Sequence, residues 1–420
     1  MKLLVVGSGG REHAVIRKLK ENKEIEKIYC APGNGGISAD AECVDTKATD
    51  KENMVKFAKE NAIDFCVVTP DDPLALGMVD VMEEAGIPCF GPKANAAIIE
   101  ASKAFSKDLM KKYGIPTADY ETFDNEKDAL HYIEEKNTFP IVIKADGLAL
   151  GKGVLICETL DDAKTALREM MVEHVFGLSG NKVVVEEFMT GKEVSVLAFT
   201  DGNVVKPMIS SMDHKRAYDN DEGLNTGGMG TIAPSPYYTK EIAETCMETI
   251  FLPTVKAMNA EGRTFKGCLY FGLMLTPKGP RVVEYNCRFG DPETQVVLPL
   301  LNSDLLTIMK ACHDGTLKDV DVVWSKEACA CVVEASGGYP VKYEKGFEIH
   351  GLDENGQHDG VIVYHAGTKK ENGKFYTNGG RVLGITAKGA TLQDALDKAY
   401  EAVKEIGFDK MHYRTDIGKK

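Results

Sequence analysis

The chain has 420 residues, too many for one ordinary core, so two to four domains are expected. Its composition, 43% hydrophobic and 27% charged, is that of a soluble globular protein. A net charge of −14 argues against sequence-independent nucleic-acid binding, which needs a basic footprint, and no run is long or apolar enough to span a bilayer. Any anionic substrate must therefore be held by local lysines, arginines and helix N-termini. Met1-Lys2-Leu3 leads straight into Leu4-Val5-Val6-Gly7 without a signal-peptide layout. The 11 cysteines are odd in number and scattered; Cys329 and Cys331 are the one close pair. Reduced, mostly buried thiols in a cytoplasm fit this better than a zinc site or a disulfide framework.

Lys2–Val6 reads as a buried strand, followed by Gly7-Ser8-Gly9-Gly10-Arg11-Glu12-His13 and a helix through Ala14, Val15, Ile16 and Leu19. A glycine turn at such a junction lets backbone and helix N-terminus approach a phosphate. A dinucleotide fingerprint would need glycine where Glu12 stands, which weakens a nicotinamide or flavin reading. Strand Lys27–Ala31 ends in Pro32-Gly33-Asn34-Gly35-Gly36, and strand Phe65–Thr69 ends in the loop Pro70-Asp71-Asp72-Pro73-Leu74. Helical patterns at Asn53–Glu60 and Leu76–Ala85 alternate with them, so the sheet is parallel and ligands are expected at its carboxyl edge. Plain tight turns are the competing reading of these loops.

A helix then runs to Glu100, and Ser102 caps the next one, Lys103–Tyr113, which Gly114 stops. Phe139–Lys144 is a strand, and Val154–Cys157 is another. The stretch between them, with Gly151, Lys152 and Gly153, resembles a P-loop but is one residue short and lacks the Ser or Thr that would meet magnesium. A glycine loop joining two strands reads as a flap able to close over phosphates. After a helix at Asp161–Met171, strand Val183–Val185 ends in Glu186-Glu187-Phe188, and a further strand starts at Glu193. Taken alone, the acid pair reads as a solvent-exposed strand end, since adjacent buried acids are costly without partners.

Ser210–Pro236 has little periodicity and reads as one long functional loop; His214 within it reads as a bystander. A helix over Lys240–Asn259, strand Cys268–Leu275 and a turn at Pro277–Pro280 lead to strand Arg281–Asn286. Alternation puts Glu284, Asn286 and Arg288 on one face. Hard oxygen ligands suit magnesium completed by substrate phosphates, and a guanidinium can grip an anion in fork geometry. Taken alone, this is equally an amphipathic strand with a wet face. In the C-terminal part, Ala328–Ala335, Val361–Ala366 and Arg381–Ala387 read as strands before a helix over about Thr391 to Ile406. No catalytic constellation is visible there by spacing.

Lys103, Lys144 with its flap, Glu186-Glu187-Phe188, Glu193 and Glu284-x-Asn286 stand in the order of the ATP-grasp superfamily. Within it the chain resembles the phosphoribosylamine–glycine ligase family from the first strand to the C-terminal region. The marks are Gly9–His13, Ala31–Asn34, Asp213–Arg216, Asn225–Gly230 and, most distinctive, Asn286–Glu293. The family commonly has Gly-Pro-Glu after the third strand, where this chain has Thr69-Pro70-Asp71. The resemblance implies an α/β and α+β multidomain chain: an N-terminal parallel α/β domain (1–101), an ATP-grasp core (102–324) with its flap at about 117–187, and a C-terminal mixed α/β lobe (325–420) packed against the core, where Gly379-Gly380-Arg381-Val382 approaches the site. It implies ATP at Lys103, Lys144, Gly151, Lys152, Gly153, Glu186, Glu187, Phe188 and Glu193, and Mg2+ or Mn2+ at Glu284 and Asn286. It gives Lys144 and Arg288 catalytic roles. Phosphoribosylamine is expected at Gly9, Gly10, Arg11, Glu12, Gly33, Asn34 and Asp71. Glycine and the transferring phosphate are expected at Arg288, Asp291 and the loop residues Asp213, Lys215, Arg216, Asn225, Thr226 and Gly227. The implied reaction is ATP-dependent ligation of glycine to 5-phosphoribosylamine through a glycyl phosphate, in purine biosynthesis, by a cytoplasmic enzyme taken as monomeric with no nucleic-acid or membrane partner. Another ATP-grasp carboxylate–amine ligase is the alternative, against which the N-terminal loops and Asn286–Glu293 argue. A non-catalytic nucleotide-binding protein is the third reading, against which the intact Lys103, Lys144, Glu284 and Asn286 argue.

Overall fold

In the computed structural model, which describes residues 1–149 and 153–419, the apolar stretch Lys2–Gly7 is the middle strand of a five-stranded parallel sheet. The order is Glu42–Cys43, Lys27–Pro32, Lys2–Gly7, Phe65–Val68, Cys89–Phe90. The two edge strands have two residues each, too few to carry a periodicity. Leu4 and Val6 face one apolar cluster and Leu3 and Val5 another, and both clusters also contain side chains of the central sheet, such as Phe271 and Phe199. Pro70–Leu74, expected as a loop, instead winds into a short helix, Asp71–Ala75. Extended Pro70 caps it, and Asp71 and Asp72 in its first turn favour the positive end of the helix dipole.

Ser102 caps Lys103–Tyr113 through its hydroxyl, which accepts from the Phe105 amide, and Gly114 closes the helix in the left-handed conformation. The flap hairpin, Ile141–Ala145 with Val154–Cys157, belongs to a four-stranded sheet with Tyr120–Phe123 and Val183–Glu187. Helices Glu126–Lys136 and Leu160–Met171 cover it and give it an apolar cluster of its own around Ile143, Leu167 and Val185. Gly151 and Lys152 lie outside the described residues. The central sheet is antiparallel, in the order Val205–Pro207, Lys192–Thr200, Gly267–Thr276, Gly279–Asn286.

The segment 210–236 is not one irregular loop. Met212–Asp213 and Gly230–Ala233 are strands of the C-terminal sheet, and Arg216–Tyr218 pairs with Glu222–Asn225 as a hairpin between them. Their partners come from the far side of the sequence: Gly230–Ala233 pairs with Ala328–Ser336, which pairs with Arg381–Gly389. Short polar strands whose partners are about a hundred residues away leave little local signal. Ile362–His365 completes that edge of the sheet, and the amphipathic helix Leu392–Val403 packs on one face.

Candidate active site

The site is built around Glu284 near the end of strand Gly279–Asn286. Gly272 faces it on the neighbouring strand, where a Cβ would lie 3.0 Å from Glu284 Cγ, so the absent side chain leaves room. Lys215 reaches across, its Nζ 3.8 Å from Glu284 Oε1 and 3.7 Å from Glu193 Oε2. Burial pushes the Glu284 carboxyl up, but Lys215, Lys144, Lys103 and Arg288 outweigh it and hold the group below its usual range. Glu193, in turn, holds the Lys215 ammonium well above its usual value against desolvation. Lys103, lowered by burial, donates to the Gly147 carbonyl at 2.6 Å and so ties the first turn of its helix to the base of the flap. Arg288 donates to Asn286 Oδ1 at 3.2 Å and pairs with Glu100 at 3.0 Å. Four cations thus converge on one carboxylate, which is the charge pattern of a polyanion site.

Glu284 and Asn286 are two hard oxygen donors on one strand face, the number and kind that magnesium takes beside substrate phosphates. Among the described residues no group of three or more His, Cys, Asp or Glu side chains is arranged around a metal position. The donor set therefore fits an ion that shares its shell with phosphate and water.

Of the acid pair after Val185, which alone reads as a solvent-exposed strand end, Glu187 is partly exposed and Glu186 is not. Glu186 is 3% exposed, and its Oε2 pairs with Lys144 at 3.0 Å and Lys107 at 3.2 Å. Its Oε1 is buried without a hydrogen-bond partner among the described residues. Lys107 also donates to Thr117 Oγ1 at 2.7 Å, and Lys144 to the Val283 carbonyl at 3.3 Å. Glu187 pairs with Arg281, while Phe188 is partly exposed beyond the strand.

The N-terminal loops meet the motif Asn286–Glu293 directly. Arg11 donates its amide to Asp291 at 3.2 Å and its guanidinium to the Phe289 carbonyl at 3.2 Å. A Cβ on Gly9 would lie 3.2 Å from Asp291 Oδ2, and one on Gly10 would lie 2.5 Å from Gln295 Nε2. Glu12, 1% exposed, accepts from Gly9 N, Arg11 Nε and Thr69 Oγ1 at 2.6, 2.6 and 2.7 Å. It braces both loops and explains why a glycine would not serve there. Asn34 is saturated: its Nδ2 donates to the Ser8 and His365 carbonyls and its Oδ1 accepts from Ile37 N. Gly33 sits in the left-handed region, with Cys43 Sγ where a Cβ would be. Asp71 stands close enough to raise the Arg288 guanidinium, after Glu100.

Asp213 is pushed well up by burial and by Glu293. Thr226 folds back on the Lys215 carbonyl through its amide and hydroxyl, and Gly227 N donates to Tyr339 Oη at 3.1 Å. Arg216 and Asn225 are not brought to the cluster: Arg216 donates to the Gly223 carbonyl at 2.6 Å, and Asn225 is its exposed hairpin partner. His214 is buried against the Gly230 carbonyl and the Gly418 amide. The residues Glu100, Lys107, Tyr270 and Glu293 carry no assigned role in the sequence, and the contacts of Arg381 are not legible there. Ser195, Tyr270 and Glu293 form a buried chain of hydrogen bonds at 2.7 and 3.0 Å. Arg381 donates to the Asp291 and Gly228 carbonyls at 2.9 and 3.3 Å. A charged residue repeating at i+4 from Lys103 was the one local signal for Lys107.

Residues 1–100, 101–294 and 329–420 match the N, ATP-grasp (A) and C domains of phosphoribosylglycinamide synthetase. A phosphoribosylamine–glycine ligase of Caldanaerobacter subterraneus subsp. tengcongensis is 49% identical over 417 residues, 99% of each chain. One of Clostridium acetobutylicum is 48% identical over 419 residues, 100% of each. The chain belongs to the phosphoribosylamine–glycine ligase family. The crystal structure of the Thermotoga maritima member covers all of both chains with a TM-score of 0.88 at 33% identity. A biotin carboxylase domain from Hydrogenobacter thermophilus, 18% identical with a TM-score of 0.74 over 98% of this chain, shares the fold. Family membership carries ATP use and a divalent metal with it. No helix among the described residues is long and apolar enough to cross a membrane.

Proposed function

We infer that the protein joins glycine to 5-phosphoribosylamine at the expense of ATP, giving glycinamide ribonucleotide, ADP and phosphate. The observation that carries this is full-length identity to named ligases, together with the cation cluster around Glu284. A carboxylate is a poor electrophile until one oxygen becomes a phosphate leaving group. Phosphoryl transfer to glycine asks for positioning and charge neutralisation more than covalent help. Lys103, Lys144 and Lys215 would neutralise the phosphates, and Arg288 would grip the glycine carboxylate. The purine would sit by Glu186, Glu187 and Phe188, whose unpartnered Oε1 on Glu186 can accept an amino hydrogen. Glu284 and Asn286 would hold magnesium or manganese, which supplies charge neutralisation on the phosphates when bound.

The amine of phosphoribosylamine, held between the N-terminal loops and Asp291, would then attack the glycyl phosphate carbonyl and expel phosphate. Closure of the 146–153 flap would keep water from that acyl phosphate. This scheme divides the chain into an amine-binding domain (1–101), the ATP-grasp domain (102–324) and the C-terminal lobe (325–420), acting as a cytoplasmic monomer. The test is mass spectrometry of the product from ATP, magnesium, glycine and phosphoribosylamine made in place from ribose 5-phosphate and ammonia, omitting each in turn. Glycinamide ribonucleotide with matching ADP is expected from the complete mixture alone. ADP without that product would reassign the carboxylate or the amine.

A further inference from the structure

Residues 33–36 carry three glycines, and an anion-binding turn accounts for them only in part. A Cβ on Gly36 would lie 2.1 Å from His365 Cγ, and one on Gly35 would lie 2.7 Å from the Lys369 carbonyl carbon. Gly36 has φ −77°, which any residue adopts, so the requirement there is space for the C-terminal sheet rather than backbone freedom. The contact is specific. His13 Nδ1 accepts from His365 N at 2.8 Å, and Asn34 Nδ2 donates to His365 O at 2.8 Å. Both backbone groups of residue 365 are therefore gripped by N-terminal side chains, and Gly35 N adds a bond to Thr368 O at 3.0 Å.

The hydrogen bonds also fix the tautomers. A backbone N–H only donates, so His13 carries its proton on Nε2 and gives it to Asp40 at 2.9 Å. The His365 ring sits edge-on to His13 at 5.6 Å. It donates from Nε2 to the Gly356 carbonyl at 2.7 Å, which leaves Nδ1 to accept from Thr368 Oγ1 at 3.0 Å. His13 and Glu12 are neighbours in the first turn of one helix, so the turn that braces Gly9 and Thr69 also carries the grip on His365.

We propose that His13 is a positioning residue for the amine substrate: through the backbone of His365 it clamps the Gly33–Gly36 loop between two domains in the shape that receives phosphoribosylamine. This rests on the functional reading above. The clamp and that reading fail separately. In His13→Ala, which removes both ring hydrogen bonds, loss of the one to His365 N should raise KM for phosphoribosylamine about tenfold, with KM for ATP and glycine within about twofold of the unmutated enzyme. Amide exchange across 362–368 should speed up to a similar degree. His13→Asn returns an acceptor near Nδ1 and should recover most of both effects. His13→Gln returns a donor toward Asp40 and should not. Unchanged KM for the amine with unchanged exchange, an equal rise in all three KM values, or better rescue by Gln than by Asn overturns the proposal. If the unmutated enzyme shows no phosphoribosylamine-dependent turnover, the functional reading and the substrate role fall together, while the exchange comparison of Asn with Gln still decides the clamp.

Discussion

Single residues at this site are set by their neighbours more than by their type. Lys107 is the clearest case. Burial, opposed by Glu186, lowers its ammonium to about 8, so it becomes neutral as pH rises through that value. Glu186 then loses one of its two cations. KM for ATP in the unmutated enzyme should therefore rise between about pH 7.5 and 9. Lys107→Met should show a raised KM that is flat over the same range, measured by initial rates at saturating glycine. A parallel rise in the variant would detach Lys107 from the nucleotide site. Glu284 is 36% exposed and stands outside the apolar clusters, so Glu284→Ala should abolish ADP formation while leaving the thermal transition within a few degrees. Near-normal turnover at ordinary magnesium would remove the metal from this strand.

Among the elements, strand alternation and caps were legible, and partner choice was not. Ser102 and Gly114 bracket their helix as read, and Glu284 and Asn286 share a strand face as read. The glycines after Lys27–Pro32 read as a loop at a ligand-binding edge or as a tight turn, and the packing of Gly36 against the Ile362–His365 edge is something no local pattern could supply. Gly36→Ala should consequently undock that edge, because a methyl cannot share space with the His365 ring. The expected cost is about 2–4 kcal/mol in chemical denaturation, in the range of overpacked cores and strained contacts. Because Gly36 has φ −77°, the cost there is steric alone, and a cost near zero would mean the loop yields without consequence.

For the whole molecule, the two histidines at the junction between N-terminal helix and C-terminal sheet set a pH limit. Burial lowers His365 to about 3, with a further lowering by His13, and burial lowers His13 as well. Unfolded histidines titrate near 6.5, so below that pH the unfolded chain binds more protons than the native one. The stability these groups contribute is thus complete above about pH 6.5 and is lost progressively as pH falls toward 3. Thermal unfolding from pH 8 to 5 should show the transition falling below about 6.5. In His365→Gln the fall should be shallower, and an equal slope would place the acid sensitivity elsewhere. The flap-bearing sheet has its own apolar cluster, whereas the N-terminal and central sheets share two.

The sequence by itself determined the alternation of strands and helices, the capped helix at Lys103, the strand pair enclosing the glycine flap and the oxygen-bearing face of Glu284 and Asn286. These are local: side-chain period, cap chemistry and glycine content act over a few residues. Only the tertiary structure decided which charges pair. It buried Glu186 between Lys107 and Lys144, although alone the strand end reads as solvent-exposed, because the partners stand 79 and 42 residues away and desolvation cost depends on them. It drew 210–236 into the C-terminal sheet, because strand pairing is satisfied by distant backbone. It also turned His13 and Asn34 toward the backbone of His365, since a side chain's role is set by whatever donor or acceptor the fold brings to it.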